Sequence, residues 1–236
     1  MKKTKLPCLN FQEINLMINI IGIYGASGFG REVLPLVKEQ YPASEIVFID
    51  DAEHGQDTVN GVQILTFNDF LKHPSENKAA CIAIANSLIR EKLYKILNDN
   101  QIKILNIKAS NVIQMDEINI DEGFIISPFV TLTSNIIIGK CFQANIYSYV
   151  AHDCIIGDYV TFAPGVKCNG NVHIHNHAYI GTGAIIKQGT PSKPLIIGKG
   201  AVIGMGAVVT KSVAPGVTVV GNPAKPLSKQ IGKVNE

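Results

Sequence analysis

Tryptophan is absent from the 236 residues, and aromatic residues make up only 7%. Modules that stack nucleobases on exposed rings are therefore poorly provided for. Charge is scarce as well. Asp, Glu, Lys and Arg together form 17% of the chain, with 21 basic residues against 19 acidic ones and a formal net charge of +2. No Lys/Arg run stands out beyond the opening MKK, so no basic field points to a nucleic acid partner. No apolar run reaches the roughly 18 residues that a membrane-spanning helix requires, and no membrane partner is expected. The five cysteines, Cys8, Cys81, Cys141, Cys154 and Cys168, are odd in number and match no CxxC framework. They read as reduced thiols packed as small hydrophobes, which fits a cytoplasmic protein. The opening MKKTKLPCLNFQEINLM has lysines but lacks the apolar core and cleavage site of a signal peptide. Residues 1–16 read as a loose extension, or as a misassigned start if translation begins at Met17. What the chain does have is 46% hydrophobic residues, too many for a disordered chain and enough for a sizeable core.

The first half alternates strands and helices. INIIGIYGASGFG (18–30) is an apolar run followed by a glycine cluster, and REVLPLVKEQY then has helical spacing. EIVFIDD is a second apolar strand ending in two carboxylates. AACIAIAN (79–86) is a third, followed by the amphipathic SLIREKLYKILNDN (87–100). The pattern predicts a small Rossmann-like α/β domain with a parallel sheet over about 17–107.

The second half has another period. Every sixth residue from Ile120 is apolar: Ile120, Ile126, Leu132, Ile138, Ala144, Val150, Ile156, Phe162, Cys168, Ile174, Ile180 and Ile186. A strict six-residue repeat marks a parallel β-helix of hexapeptide type. Each hexad supplies one short strand and a turn, three hexads close a triangular coil of 18 residues, and the apolar series points inward. The register breaks once. It resumes at Ile197, Ile203 and Val209, so five residues are inserted within KQGTPSKPL (187–195) and must loop out of the prism. The predicted β-helix domain covers 108–227, with a tail at 228–236.

An 18-residue coil places neighbours arithmetically. His152, in NIYSYVAHDCIIGDYVTFAPG (145–165), should lie one coil below Gly170 on the same face. A base one strand spacing from an open backbone N–H suits acyl transfer: the imidazole takes a proton, and the N–H stabilises the oxyanion. Asp153 follows directly, and a carboxylate beside an imidazole orients it. Whether adjacent residues can meet depends on the turn. HIHNH (173–177) offers a competing cluster in His173, His175 and His177, and alternate histidines on a strand can share a metal. No other ligand type is near them in sequence and the span crosses a corner, so no metal is expected. His54 and His73 lie in polar loop stretches and carry no signal.

GASGFG (25–30) sits between a strand and a helix, where backbone N–H groups can hold phosphate. Asp50 and Asp51 end the next strand, where an acid can bind a ribose hydroxyl or a base edge. The spacing is not GxGxxG, which disfavours a dehydrogenase. A nucleotide without hydride chemistry fits better, and a tight turn without any ligand is the plain alternative.

The two halves together resemble a known family. The stretches that carry the resemblance are IISPFVT (125–131), ANIYSYVAHDCIIGDYVTFAPGVKCNG (144–170), PLIIGKGAVIGMGAVVTKSV (194–213), GNPAK (221–225) and IANSLIR (84–90). They are similar to bacterial sugar acyltransferases with an N-terminal nucleotide-sugar domain and a C-terminal left-handed β-helix. The group includes bacillosamine and perosamine N-acetyltransferases, and the resemblance is greatest to dTDP-4-amino-4,6-dideoxyglucose (dTDP-viosamine) N-acetyltransferases. It implies a homotrimer acting in surface polysaccharide biosynthesis, with acetyl-CoA lying along the β-helix between subunits. It implies His152 as general base, Asp153 as its support and Gly170 as the amide that polarises the thioester. Thr161, Thr182 and Met205 match coenzyme-lining positions, with Gly181, Gly204 and Gly206 beside them. Ser27, Gly28, Asp50 and Asp51 match nucleotide-sugar contacts, Asn145 a residue near the amino sugar, and Ala85–Asn86 a segment beside the substrate. Phe29 stands where bacillosamine-pathway relatives carry His, and Ala85 replaces a Gly of some relatives. The implied reaction is direct attack of a sugar 4-amino group on acetyl-CoA, without a covalent acyl-enzyme. A UDP- or GDP-linked amino sugar, or a sugar hydroxyl as acceptor, are the alternatives, and a non-enzymatic trimer scaffold is a further one.

Overall fold

The computed structural model describes residues 18–52 and 57–227. The expected extension at 1–16 with Cys8, the alternative start at Met17, His54 and the tail at 228–236 lie outside the described residues. The chain divides into two units, residues 1–84 with 94–105, and residues 85–93 with 106–236.

The first unit contains β1 (Ile20–Tyr24), α1 (Gly28–Gln40), β2 (Glu45–Ile49), β3 (Thr58–Val59), β4 (Val62–Leu65), α2 (Phe67–Lys72), β5 (Lys78–Ile82) and β6 (Lys103–Ile104), and it shares helix α3 (Ser87–Asp99) with the second unit. The sheet order is β3-β4-β2-β1-β5-β6. All pairings are parallel except the β3–β4 hairpin. Every residue of β1 is buried, as a central strand covered on both faces requires. The parallel strands reproduce the doubly wound order, whose switch point falls between the carboxyl ends of β1 and β5. β1 runs there into the turn 25–27. Gly30 is fixed by close packing, since a Cβ would stand 1.9 Å from the Gly25 carbonyl oxygen.

The second unit is a left-handed β-helix. Its strands pair in parallel at a constant offset of 18. Ile107 lies beside Ile125, Leu132 beside Val150, Val150 beside Cys168, and Cys168 beside Ile186. From Ile126 onward the hexad series is no more than 2% exposed, while Ile120 in the outermost coils is partly buried. Past the insertion the offset becomes 23, with Ile174 beside Ile197, Ile180 beside Ile203 and Ile186 beside Val209. The five extra residues leave the prism as a small hairpin, closed by reciprocal backbone hydrogen bonds of 3.0 Å between Thr190 and Lys193.

Two features differ from the hexad reading. Residues 113–120 and 131–138 are continuous eight-residue strands rather than separate short ones. A second interior row also lies two residues before the first, including Val130, Ile136, Phe142, Cys154, Val160, Val166 and Val172, all buried. Ser148 interrupts this row, and its hydroxyl donates to the Ala163 carbonyl at 3.1 Å. Corners are turned by left-handed residues at a six-residue period: Phe129, Asn135, Cys141, Tyr147, Asp153, Tyr159, Gly165, Asn171, His177 and Gly183. Most of these are not glycine, so each coil stores a small local strain that stacking must offset.

Candidate active site

His152 and Asp153 occupy one of these corners. Asp153 has φ 58°, and this left-handed turn swings its carboxylate back toward its own neighbour. His152 Nδ1 lies 2.7 Å from Asp153 Oδ2. Asn135, one coil earlier on the same edge, donates from Nδ2 to Asp153 Oδ1 at 3.2 Å. The hydrogen bond from His152, and after it that from Asn135, hold the Asp153 carboxyl below the usual carboxylate range. An ionised carboxylate only accepts, so Nδ1 carries the proton, and Nε2 is left with its lone pair when the ring is neutral.

Gly170 lies directly against that ring. A Cβ on Gly170 would stand 2.5 Å from both His152 Nε2 and Cε1. The glycine thus makes the room that the imidazole fills. The His152 carbonyl accepts from Asn171 N–H at 3.0 Å, which pins the two corners together. Among the described residues the Gly170 N–H donates to no partner. A base with one nitrogen free, beside an open backbone donor, can deprotonate a nucleophile and stabilise an oxyanion.

In the first unit the two strand-end carboxylates are engaged internally. Asp50 accepts from Ala26 N–H at 3.0 Å and from Ala52 N–H at 3.1 Å. Asp51 accepts from the Tyr24 hydroxyl at 2.5 Å and from Phe67 N–H at 2.8 Å. Burial and then this bond push the Tyr24 hydroxyl pKa up. Asp50 therefore ties down the glycine-rich turn on which Ser27 and Gly28 are exposed and Phe29 is partly exposed.

A family model described as the PglD N-terminal domain matches residues 20–97. The GDP-perosamine N-acetyltransferase of Escherichia coli O157:H7 is 51% identical over 217 residues, covering 90% of this chain and 98% of that protein. The chain belongs to the family of sugar N-acetyltransferases. WeeI from Acinetobacter baumannii AYE is 62% identical with a TM-score of 0.86, covering 88% of this chain and 99% of that one. The acetyltransferase domain of PglB from Neisseria gonorrhoeae FA1090, solved in complex with acetyl coenzyme A, is 28% identical with a TM-score of 0.79, over 89% of this chain and 100% of that one.

The remaining expected site residues of this N-acetyltransferase are distributed along the β-helix. Met205 is 82% exposed, and Thr182 and Gly206 are exposed. Gly181 and Gly204 have packing reasons of their own: a Cβ would come within 2.7 Å of the backbone of the next coil at Gly181, and within 2.6 Å of Val220 at Gly204. Asn145 donates from Nδ2 to the Phe162 carbonyl at 2.8 Å, a bond that Asn169 repeats on another face of the prism, 24 residues on, with the Ile186 carbonyl. Cys154 and Cys168 are fully buried. Among the described residues no three His, Cys, Asp or Glu side chains converge on a metal position. No helix among them is long and apolar enough to cross a membrane.

Thr161 is 2% exposed, and its hydroxyl accepts from Arg90 at 2.9 Å. Sequence reasoning passed over Arg90. It is fully buried, donating to the carbonyls of Cys141 at 3.0 Å, Tyr159 at 2.6 Å and Ala85 at 3.1 Å, and to Gln143 Oε1 at 3.1 Å. Burial pulls its pKa down to about 10, which leaves it a cation at neutral pH. Its position three and seven residues before Leu93 and Leu97, on the apolar stripe of α3, was the available signal. In the sequence His177 stands out only as part of HIHNH. Its ring stacks on Tyr159 at 5.2 Å and its Nε2 lies 3.5 Å from Glu91, while Nδ1 is buried without a partner among the described residues.

Proposed function

We infer that the chain transfers an acetyl group from acetyl-CoA to the 4-amino group of a nucleotide-linked 4-amino-4,6-dideoxy sugar, for surface polysaccharide biosynthesis. The supporting observation is the His152 corner: Nδ1 occupied by Asp153, and Nε2 beside Gly170, whose N–H is open. The amine nitrogen attacks the thioester carbonyl and forms the new C–N bond, while His152 Nε2 takes the proton the nitrogen sheds. The Gly170 N–H donates to the oxygen that becomes negative in the tetrahedral intermediate. Collapse breaks the C–S bond, and the proton on His152 passes to the leaving sulfur. Holding both reactants at one corner adds a proximity contribution. Cys154 and Cys168, buried in the prism, take no part.

For the acceptor, a GDP-linked sugar takes first place, because the 51% identical relative is named for GDP-perosamine. The dTDP-linked sugar suggested by the sequence resemblance is the second reading, and Phe29 argues against a UDP-linked bacillosamine precursor. The nucleotide is assigned to the 25–30 turn with Asp50 and Asp51, the sugar to the neighbourhood of Ala85, Asn86 and Asn145. The acetyl-CoA arm is assigned to the β-helix past Thr161, Thr182 and Met205, between subunits of a homotrimer. The test is His152→Ala. Transfer should fall by about 10²–10⁴-fold, the range for a lost general base, while coenzyme A still binds. A variant with full activity would sink the assignment.

A further inference from the structure

Arg90 ties three separate stretches of chain together with one guanidinium. Its Nε donates to the Cys141 carbonyl at 3.0 Å. Nη1 donates to the Ala85 carbonyl and to Gln143 Oε1, both at 3.1 Å. Nη2 donates to the Tyr159 carbonyl at 2.6 Å and to the Thr161 hydroxyl at 2.9 Å. Gln143 and Thr161 are register partners on neighbouring coils of the β-helix, so the guanidinium spans two coils at once. Ala85 belongs to the segment that leads into α3. The Thr161 hydroxyl reinforces the link, since it also donates to the Ala85 carbonyl, at 3.4 Å. These acceptors are reached from three different nitrogens of a rigid fork. A lysine ammonium, with one nitrogen, would keep the charge and lose the span.

The segment held in this way is exposed. Ala85 and Asn86 are exposed, while Arg90 and Thr161 behind them are no more than 2% exposed. Asn86 Oδ1 accepts from Leu88 N–H and Ile89 N–H at 3.1 Å each and so caps α3, which leaves its amide N–H₂ group for a ligand. Ala85, Asn86 and Leu88 form one wall of a pocket of about 530 Å³, and Thr161 and Tyr179 of the β-helix line it as well. We propose that Arg90 is a positioning residue for acetyl transfer: it sets the Ala85–Asn86 wall against the β-helix and thereby fixes where the sugar acceptor sits. The inference rests on the reading above, which gives the sugar to the neighbourhood of Ala85 and Asn86. Arg90 itself is fully buried and reaches no ligand. It acts through the Ala85 carbonyl and the Thr161 hydroxyl, and a wall misplaced by about 1 Å is enough to cost up to about 100-fold in transfer.

Two variants test this, both measured well below their melting temperatures. Arg90→Lys keeps the cation without the fork. Thr161→Val removes one hydroxyl from the network and leaves Nη2 bonded to Tyr159, so it should fold even if Arg90→Lys does not. Hydrogen exchange needs no acceptor: the Leu88 and Ile89 amides, capped by Asn86, should exchange at least about tenfold faster in Arg90→Lys, and by a smaller factor in Thr161→Val. In steady-state acetyl transfer to the preferred amino sugar, kcat/KM for the sugar should fall by about 10–100-fold in Arg90→Lys, mainly through KM. The KM for acetyl-CoA should stay within about twofold, a split that a general loss of stability does not produce. Adding Thr161→Val to Arg90→Lys should cost little more, because both act on the same wall. Unchanged exchange and unchanged sugar KM in both variants, beside a lower melting temperature, make Arg90 a purely structural residue and overturn the proposal while leaving the acetyl-transfer reading intact. A rise in the KM for acetyl-CoA with the sugar KM unchanged gives the pocket to the coenzyme and overturns it as well. A parent protein that transfers no acetyl group to any amino sugar removes both the reading and the proposal.

Discussion

Replacing Gly170 with alanine is the sharpest perturbation of the His152 corner. The backbone at Gly170 is not in the left-handed region, so alanine is allowed there. The methyl is the difficulty, at 2.5 Å from Nε2 and Cε1 and 2.9 Å from Nδ1. Ordinary carbon contacts begin near 3.5 Å, so the ring must retreat by about 1 Å. The ring is half exposed and can swing toward solvent, which keeps the stability penalty near the roughly 0.5–1.5 kcal/mol of an off-rotamer side chain. Restricting the unfolded chain returns about 0.4–1 kcal/mol, so the melting temperature should hardly move. Activity should not survive as well. A 1 Å displacement stretches the 2.7 Å bond to Asp153 and moves Nε2 off its line to the amine. Misplacement on that scale is worth about 100-fold in rate. The assay is thiol release from acetyl-CoA in four proteins: parent, Gly170→Ala, His152→Ala and the double variant. If the methyl acts through the ring, it should cost about 100-fold in the parent and almost nothing once His152 is alanine. An undiminished 100-fold loss in the His152→Ala background would refute this, and so would full activity of Gly170→Ala.

Asp153→Asn keeps a polar partner but removes the charge that fixes the imidazole tautomer, and kcat should fall at least about tenfold with little change in either KM. The Asp153 pKa lies below the ordinary carboxylate value, so its contribution is complete above the unfolded pKa and is lost only as the pH falls through the lower, folded one. A loss of stability that sets in between pH 4.5 and 6 and disappears in Asp153→Asn would contradict this. His177 runs the other way from a paired histidine. Burial first, and only partly opposed by Glu91, lowers its pKa, so it should reduce thermal stability as the pH drops below about 6.5, and His177→Gln should flatten that slope. Arg90→Met leaves several buried acceptors unsatisfied at about 1–3 kcal/mol each, and chemical denaturation should show a loss of several kcal/mol.

The sequence exposed the architecture where a physical constraint repeats. A prism interior accepts only apolar side chains, so the series from Ile126 to Ile186 is legible in the sequence, and the jump to Ile197 locates the hairpin. The same arithmetic put Gly170 against His152. Contacts set by backbone hand were not legible. Left-handed corners at Phe129, Tyr147 and Tyr159 use residues with no preference for that conformation, so nothing announced that Asp153 would turn back onto His152. Arg90 was hidden for the opposite reason: a charged residue in an amphipathic helix reads as solvent-facing, and only the ring of buried carbonyls around it reveals otherwise. The glycines were ambiguous because close coil stacking and close ligand approach ask for the same residue. Gly30, Gly181 and Gly204 have packing reasons, whereas Gly170 makes room for a titratable ring.

The most direct measurement is thiol release from acetyl-CoA by the purified protein, offered GDP-perosamine, dTDP-4-amino-4,6-dideoxyglucose and the UDP-linked 2-acetamido-4-amino analogue side by side. Transfer to a 4-amino sugar, highest kcat/KM with the GDP-linked one and loss of that transfer in His152→Ala, is the expected result. Release with none of the three, or undiminished release without His152, would contradict the account.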